Sequence, residues 1–255
     1  LLREAARPVL TTIGTRGYGR TGIGSEIAIG EGVIGGAAAT LHPVKISDLS
    51  RVRRFSAAIT LSTVEEARSI PLPGLDGAMS QLAVPIQFHK RLVGVVLIES
   101  RNRLAFGREA EVLVEVVARL AGAAIAYSDA AGASEAAPIT APPVAPQLGP
   151  SFKVLHHNFD DSIFIEDSYV IKGVAGRLLI LILELHLKQG RTDFTNRELR
   201  LNEAMRLPDF KDNLETRLLL LRRRLEEKQA PVRLVHVGRG QLRLDLQGRP
   251  AIQHV

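Results

Sequence analysis

The stretch SQLAVPIQFHKRLVGVVLIES, residues 80–100, decides the fold of the first half of the chain. Apolar side chains occupy every second position over residues 82–88, which places them on one face of an extended strand. A polar triplet, residues 89–91, is followed by a second extended apolar run over residues 92–98. Two β-rich runs joined by a short charged turn predict a hairpin within an antiparallel sheet.

Downstream of this hairpin, the apolar period becomes helical over residues 108–127. One predicted apolar stripe consists of Ala110, Leu113, Val117, Leu120, Ala124 and Ile125. A second and smaller apolar face consists of Val112, Val116 and Ala123. A helix with two apolar faces is typical of one that contacts both its own sheet and a partner subunit, so we expect a homodimer.

The first half of the chain resembles a GAF domain over roughly residues 10–128. The resemblance rests on IGEGVIGGAAATLHPVKISDL (29–49), SQLAVPI (80–86), LVGVVLIES (92–100) and FGREAEVLVEVVARLAGAAIAY (106–127). It implies a six-stranded antiparallel sheet with helices on one face and a pocket for a small-molecule effector on the other. It also implies the ligand-binding candidates, which are Asp48, Phe55, Ile59 and Ser80. The alternative is that Phe55 and Ile59 are ordinary core residues.

The cofactor, if there is one, stays unknown from the sequence. The chain has no cysteine, which excludes a thioether-attached chromophore. Of the signature of cyclic-nucleotide-binding relatives it keeps only Asn102, Phe106 and Glu109, so a cyclic nucleotide is not expected. Haem is not expected either, because His42 and His89 are predicted in a loop and a turn.

Residues 129–150 separate two predicted domains, because Ala and Pro fill most of this segment and no apolar period survives. The predicted organisation is a GAF-like sensory domain over 1–128, a linker over 129–150 and a second domain over 151–255. The chain begins at Leu1 rather than Met, so we expect a piece of a longer protein.

The second half predicts three short strands over residues 152–172, three helices and a hairpin. The first helix covers 174–188 and ends at Gly190, and the others open with capping boxes at Thr195 and Asp212. This order resembles the winged helix-turn-helix of OmpR-type regulators over residues 152–246. The overall fold class is therefore α/β (α+β): an antiparallel sheet with helices, followed by a winged helix-turn-helix.

The third helix of the second half is predicted to enter the major groove of double-stranded DNA, with the hairpin as the wing. On a helical wheel, Leu214, Leu218, Leu221 and Leu225 face inward. The predicted DNA contacts are Asn213, Thr216, Arg217, Leu220, Arg223, Arg224, Arg239 and Arg243.

Leu219 and Leu220 depart from the small polar residues expected on that helix. A signalling adaptor that binds protein through this module is therefore the alternative function.

The charge of the chain favours DNA as the partner, since the net charge is +6 and residues 217–249 carry nine basic against three acidic residues.

The sequence contains no catalytic motif, so an enzyme is not expected. No metal site is expected either, because His156 and His157 are neighbours on a strand and point to opposite faces. Without a leader or an apolar run of about 20 residues, the chain is expected to be cytoplasmic and free of membrane contact.

Overall fold

A computed structural model of the chain describes residues 1–4, 7–19, 21–50, 70–134, 150–205, 214–238 and 240–255. The chain divides into two compact units, Leu1–Tyr127 and Ser128–Val255. Within the described ranges, none of the helices is both long enough and apolar enough to cross a membrane.

The first unit contains the predicted antiparallel sheet. Its strands are β1 (Leu2–Arg3), β2 (Val9–Thr11), β3 (Glu26–Ala28), β4 (Val44–Ile46), β5 (Ser80–Phe88) and β6 (Arg91–Ser100). They are arranged in the order β3-β2-β1-β6-β5-β4, and every pair is antiparallel. Among the residues of this unit that the structure describes, two helices accompany the sheet, α1 (Gly32–Thr40) and α2 (Arg108–Ser134). The expected combination of an antiparallel sheet and helices is confirmed.

The predicted hairpin is formed by β5 and β6, which pair from Ser80 opposite Ser100 to Phe88 opposite Arg91. The turn consists of His89 and Lys90, whose φ angles are 47° and 61°. Two successive positive φ angles give a turn whose twist matches that of the flanking strands. The hairpin is therefore confirmed, with a turn of two residues.

The two faces of this sheet carry different apolar clusters. On one face, Ala83 and Val95 pack with Ile34 and Ala37 of α1. On the other face, Leu82, Val84 and Ile86 pack with residues of α2. The faces separate because neighbouring residues of a strand point in opposite directions. The helices thus lie on both faces of the sheet, rather than on one as the resemblance implied.

Helix α2 packs on the sheet with a side that neither of the two predicted apolar faces describes. The residues that pack against it are Val114, Ala118, Ala121 and Ile125. A Cβ atom at Gly122 would lie 2.4 Å from the carbonyl oxygen of Gln87, so this side must be small to approach the sheet. Of the two predicted apolar faces, only Ile125 belongs to this packed side, and Leu113, Val117 and Leu120 are exposed.

Helix α2 also continues to Ser134, beyond the expected start of the linker at residue 129. Residues 129–134 contain three alanines and no proline, and alanine has the highest helix propensity. The first proline of the linker stands only at position 138. Residues 135–149 of the predicted linker lie outside the described residues.

Over residues 150–205, 214–238 and 240–255, the second unit contains two small sheets and three helices. Its strands and helices are β7 (Ser151–His157), β8 (Ser162–Ile165), β9 (Ser168–Ile171), α3 (Val174–Gln189), β10 (Asp193–Thr195), α4 (Asn196–Leu201), a 3-10 turn (Glu203–Met205), α5 (Leu214–Glu227), β11 (Val232–Gly238), β12 (Gln241–Leu246) and β13 (Arg249–His254). One sheet has the order β13-β7-β8-β9 and the other β10-β12-β11.

Two of the predicted helix ends are confirmed in this unit. Helix α3 ends at Gly190, which has the left-handed φ of 67°. The hydroxyl of Thr195 accepts a hydrogen bond from the backbone N–H of Glu198, and this caps α4. The third predicted cap, Asp212, lies outside the described residues. Strand β13 was not predicted, and it pairs in parallel with β7.

Candidate functional sites

Helix α5 carries most of the predicted DNA contacts, and its inward face was predicted correctly. Leu214, Leu218, Leu221 and Leu225 are all buried. The helix contacts α3, β9 and β11 within its own unit. The hydrophobic burial of this leucine face is what fixes the rotation of the helix about its axis.

The buried arc of α5 is wider than the leucine pattern predicted. Arg217, Leu220 and Arg224 are only 4%, 2% and 3% exposed. The Nε of Arg224 donates a hydrogen bond to the carbonyl oxygen of Val170, at 2.9 Å, and its guanidinium pairs with Glu227 at 2.6 Å. The prediction that Arg217, Leu220 and Arg224 face outward is therefore wrong, because the surrounding elements enclose them.

The remaining predicted contacts on α5 keep partial exposure. Thr216 and Arg223 lie on the outer side, together with Leu219 and Arg222. The Nε atom of Arg222 is buried without a hydrogen-bond partner among the described residues. Asn213 lies outside the described residues. The accessible side of α5 thus combines Thr216, Leu219 and two arginines, with Glu226 and Glu227 exposed at the C-terminal end of the helix.

The hairpin of β11 and β12 presents basic and apolar side chains together. Arg243 is exposed and its Nε lies 2.7 Å from the carboxylate of Asp193, which is buried. Arg233 and Val235 stand in register with Asp245 and Arg243. Val235 and Val237 are also exposed. Arg239, the predicted tip of the wing, lies outside the described residues.

Of the four ligand-binding candidates in the first unit, the structure describes Asp48 and Ser80. Ser80 is fully buried, and its hydroxyl donates a hydrogen bond to the carbonyl oxygen of Asn102, at 2.8 Å. It points to the same face as Leu82, which packs towards α2, and its role in a ligand pocket stays a prediction. The Asp48 carboxylate accepts a hydrogen bond from the Ser50 backbone at 2.8 Å. Phe55 and Ile59 lie outside the described residues.

A polar cluster that sequence reasoning missed lies on the α1 side of the same sheet. Gln81 donates a side-chain hydrogen bond to Glu99 at 2.6 Å, and the backbone N–H of Leu75 donates to the other oxygen of Glu99 at 2.8 Å. Burial, together with the charge of Glu99 and a hydrogen bond to it, raises the pKa of Tyr18 to about 12. The signal was available, because Gln81 and Glu99 are the polar residues that interrupt two apolar strands.

Comparison with known proteins identifies the first unit. Residues 14–125 match the GAF domain model, and they form a GAF domain. No curated protein matches the chain.

Among solved structures, the chain is similar to the type II free methionine-R-sulfoxide reductase from Thermoplasma acidophilum, at 20% identity and a TM-score of 0.30. It is also similar to the GAF domain of Acinetobacter phosphoenolpyruvate-protein phosphotransferase, at 21% identity and a TM-score of 0.33. These matches cover 38% and 43% of this chain, respectively. In both comparisons the chain spans 58% of the length of the matched structure.

Proposed function

We propose that the chain is a dimeric, ligand-responsive transcription regulator in which the GAF domain senses and dimerises and the second unit binds double-stranded DNA. The observation that carries the DNA part is the order of elements in the second unit. Three helices are followed by an antiparallel hairpin, and strand β10, between the first two helices, pairs with that hairpin. This is the order expected of a winged helix-turn-helix.

The surface charge of the second unit supports a polyanionic partner. Within residues 217–249, the basic residues that are described and at least partly exposed are Arg222, Arg223, Lys228, Arg233, Arg243 and Arg249. The exposed acidic residues are Glu226, Glu227 and Asp245. Six basic against three acidic residues leave a surplus of three positive charges over the described part of residues 217–249, which suits contact with phosphates.

Dimerisation is proposed through the outer side of α2. Leu113 and Leu120 are 64% and 66% exposed, and Val117 and Tyr127 are exposed beside them. With Ala124, these residues follow the alternating four- and three-residue spacing of the apolar positions in a coiled coil. An apolar strip of this length on a single helix is typical of a protein interface, and a second copy of α2 would cover it with matching residues.

The effector of the GAF domain is proposed to approach the α1 side of the sheet. Tyr18, Gln81 and Glu99 place a hydroxyl, an amide and a carboxylate there. Pockets for small molecules combine apolar walls with a few polar groups that fix orientation, and this cluster supplies such groups. Asp48 stays a candidate at the edge of the same domain.

Salt-dependent binding to a DNA duplex tests the proposal against the adaptor alternative. Counterion release makes the affinity fall with salt by a logarithmic slope of about −0.9 for each neutralised phosphate, so we expect a slope of about −3 or steeper. Arg233→Ala should reduce the magnitude of that slope by about one, since an exposed phosphate contact is lost. An affinity for duplex that does not change with salt would favour the adaptor, for which the exposed Val235 and Val237 provide a protein-binding surface.

A further inference from the structure

Two histidines that are 98 residues apart meet across the parallel pair of strands β7 and β13. His156 and His254 stand in register, and their Nδ1 atoms are 3.0 Å apart. The rings lie edge to face, at an interplanar angle of 77°. His156 is buried, whereas the His254 side chain is 44% exposed. The pair is therefore reachable from solvent on one side only.

The outer nitrogen of each imidazole faces a carboxylate. The Nε2 atom of His156 lies 3.2 Å from Asp161, and the Nε2 atom of His254 lies 3.6 Å from Glu184. Arg177 fixes Asp161 from the other side through its Nε, at 3.0 Å. A carboxylate accepts hydrogen bonds, so it favours the proton on the Nε2 nitrogen that faces it.

With a proton on the Nε2 atom of each histidine, the lone pairs of the two Nδ1 atoms face each other. Both Nδ1 atoms are then acceptors, and two acceptors at 3.0 Å repel unless a cation lies between them. Histidine ligands of metal ions are held in the same way, with the second ring N–H donated to a carboxylate. Asp161 provides this hydrogen bond for His156, and the carboxylate of Glu184, 3.6 Å from Nε2 of His254, favours the same proton position through its negative charge.

We propose that His156 and His254 bind a divalent transition-metal ion through their Nδ1 atoms. Metal–nitrogen bonds of about 2.0–2.1 Å across a separation of 3.0 Å give a nitrogen–metal–nitrogen angle of about 90–95°. This angle suits the neighbouring positions of a square-planar or octahedral ion such as Cu²⁺ or Ni²⁺ better than tetrahedral Zn²⁺. No group of three or more His, Asp or Glu side chains converges on a metal position within the described ranges, so water completes the coordination.

The proposed ion would fasten strand β13 to β7. The two ligands come from the neighbouring strands of one parallel pair, and β13 forms the edge of its sheet. An ion held by both strands binds the paired arrangement and not the separated one, so it should stabilise the second unit. The competing arrangement is a simple hydrogen bond between the rings, in which one Nδ1 carries a proton.

The experiment uses the full chain without a histidine tag, with Ni²⁺ as the probe. Isothermal titration should give one Ni²⁺ per chain, and His254→Gln should weaken this binding at least tenfold. Zn²⁺ should bind more weakly than Ni²⁺. His157→Gln is the matched control, since its ring lies on the other side of β7 against Phe164 and its loss should leave binding unchanged.

A thermal unfolding measurement covers the case in which a variant changes the fold. Ni²⁺ should raise the midpoint temperature of thermal unfolding of the wild type and of His157→Gln. It should not change the midpoint temperature of His254→Gln or His156→Gln. Absence of Ni²⁺ binding to the wild type would overturn the proposal and leave the hydrogen bond between the rings. Equal Ni²⁺ binding by the wild type and His254→Gln would place the metal elsewhere and would also overturn it.

Discussion

The guanidinium of Arg224 donates a hydrogen bond through Nε to the carbonyl oxygen of Val170, at 2.9 Å, and so fastens helix α5 to strand β9. Arg224 is buried, while its neighbour Arg223 is partly exposed. Two adjacent arginines on one helix therefore have different environments. Arg224 stabilises the C-terminal unit, whereas Arg223 is the proposed contact with DNA.

This contrast leads to the first prediction. Arg224→Ala should lower the opening free energy of α5 by about 1.5–3 kcal/mol, because a buried hydrogen bond from a charged group is lost and the carbonyl of Val170 loses its partner. Hydrogen exchange of the α5 amides under native conditions measures this. Arg223→Ala is the control and should change the opening free energy by less than about 1 kcal/mol while weakening duplex binding. Equal effects of the two changes on exchange would contradict the assignment.

The second prediction concerns Arg239, which lies between Gly238 and Gly240. If the hairpin acts as a wing, Arg239→Ala should weaken duplex binding by about 1–3 kcal/mol without lowering the melting temperature. A fluorescence titration at physiological salt and a thermal melt measure the two quantities. The same affinity for both proteins would remove the wing from the proposed interface.

The third prediction concerns the apolar strip of α2. Replacing Leu113 and Leu120 with Ser should weaken self-association at least a hundredfold, because each buried leucine contributes about 1.5–3 kcal/mol to a contact. Sedimentation equilibrium measures the change. Leu104→Ser is the matched control, since Leu104 is also exposed but lies outside α2 and should leave the dimer intact. A monomeric wild-type protein at micromolar concentration would reject this interface.

The fourth prediction concerns alkaline pH and Tyr18. The folded state holds the pKa of Tyr18 at about 12, whereas an unfolded tyrosine ionises near 10. The unfolded state therefore releases its proton first, so the stability that Tyr18 contributes is present below pH 10 and declines as pH rises from 10 to 12. Between pH 10 and 12, the free energy of unfolding of the GAF domain, measured with urea, should fall less in Tyr18→Phe than in the wild type. Tyr127→Phe, at an exposed site, should behave as the wild type.

Much of the local structure could be predicted from the sequence. The hairpin of β5 and β6 followed from alternation around His89-Lys90, and the ends of α3 and α4 followed from Gly190 and Thr195. The leucine face of α5 followed from helical spacing. These features depend on backbone preferences and on periods within one element, which neighbouring residues alone specify.

The orientation of two helices needed the tertiary structure. The two apolar faces of α2 left its inward side open, and the side with Ala118 and Gly122 packs on the sheet because its small residues permit a closer approach. On α5, a helical wheel places Arg223 opposite the leucine face and Arg224 at its flank, but only the position of β9 decides that this flank is enclosed.

The sequence by itself determined the hairpin of β5 and β6, the ends of α3 and α4 and the leucine face of α5, because hydrogen bonding and side-chain periods are local. It also contained both His156 and His254, but nothing in either neighbourhood links them. Their meeting depends on the parallel pairing of β13 with β7, which is a contact between distant parts of the chain. Only the tertiary structure decided it, because the pairing of strands follows from the packing of the whole unit.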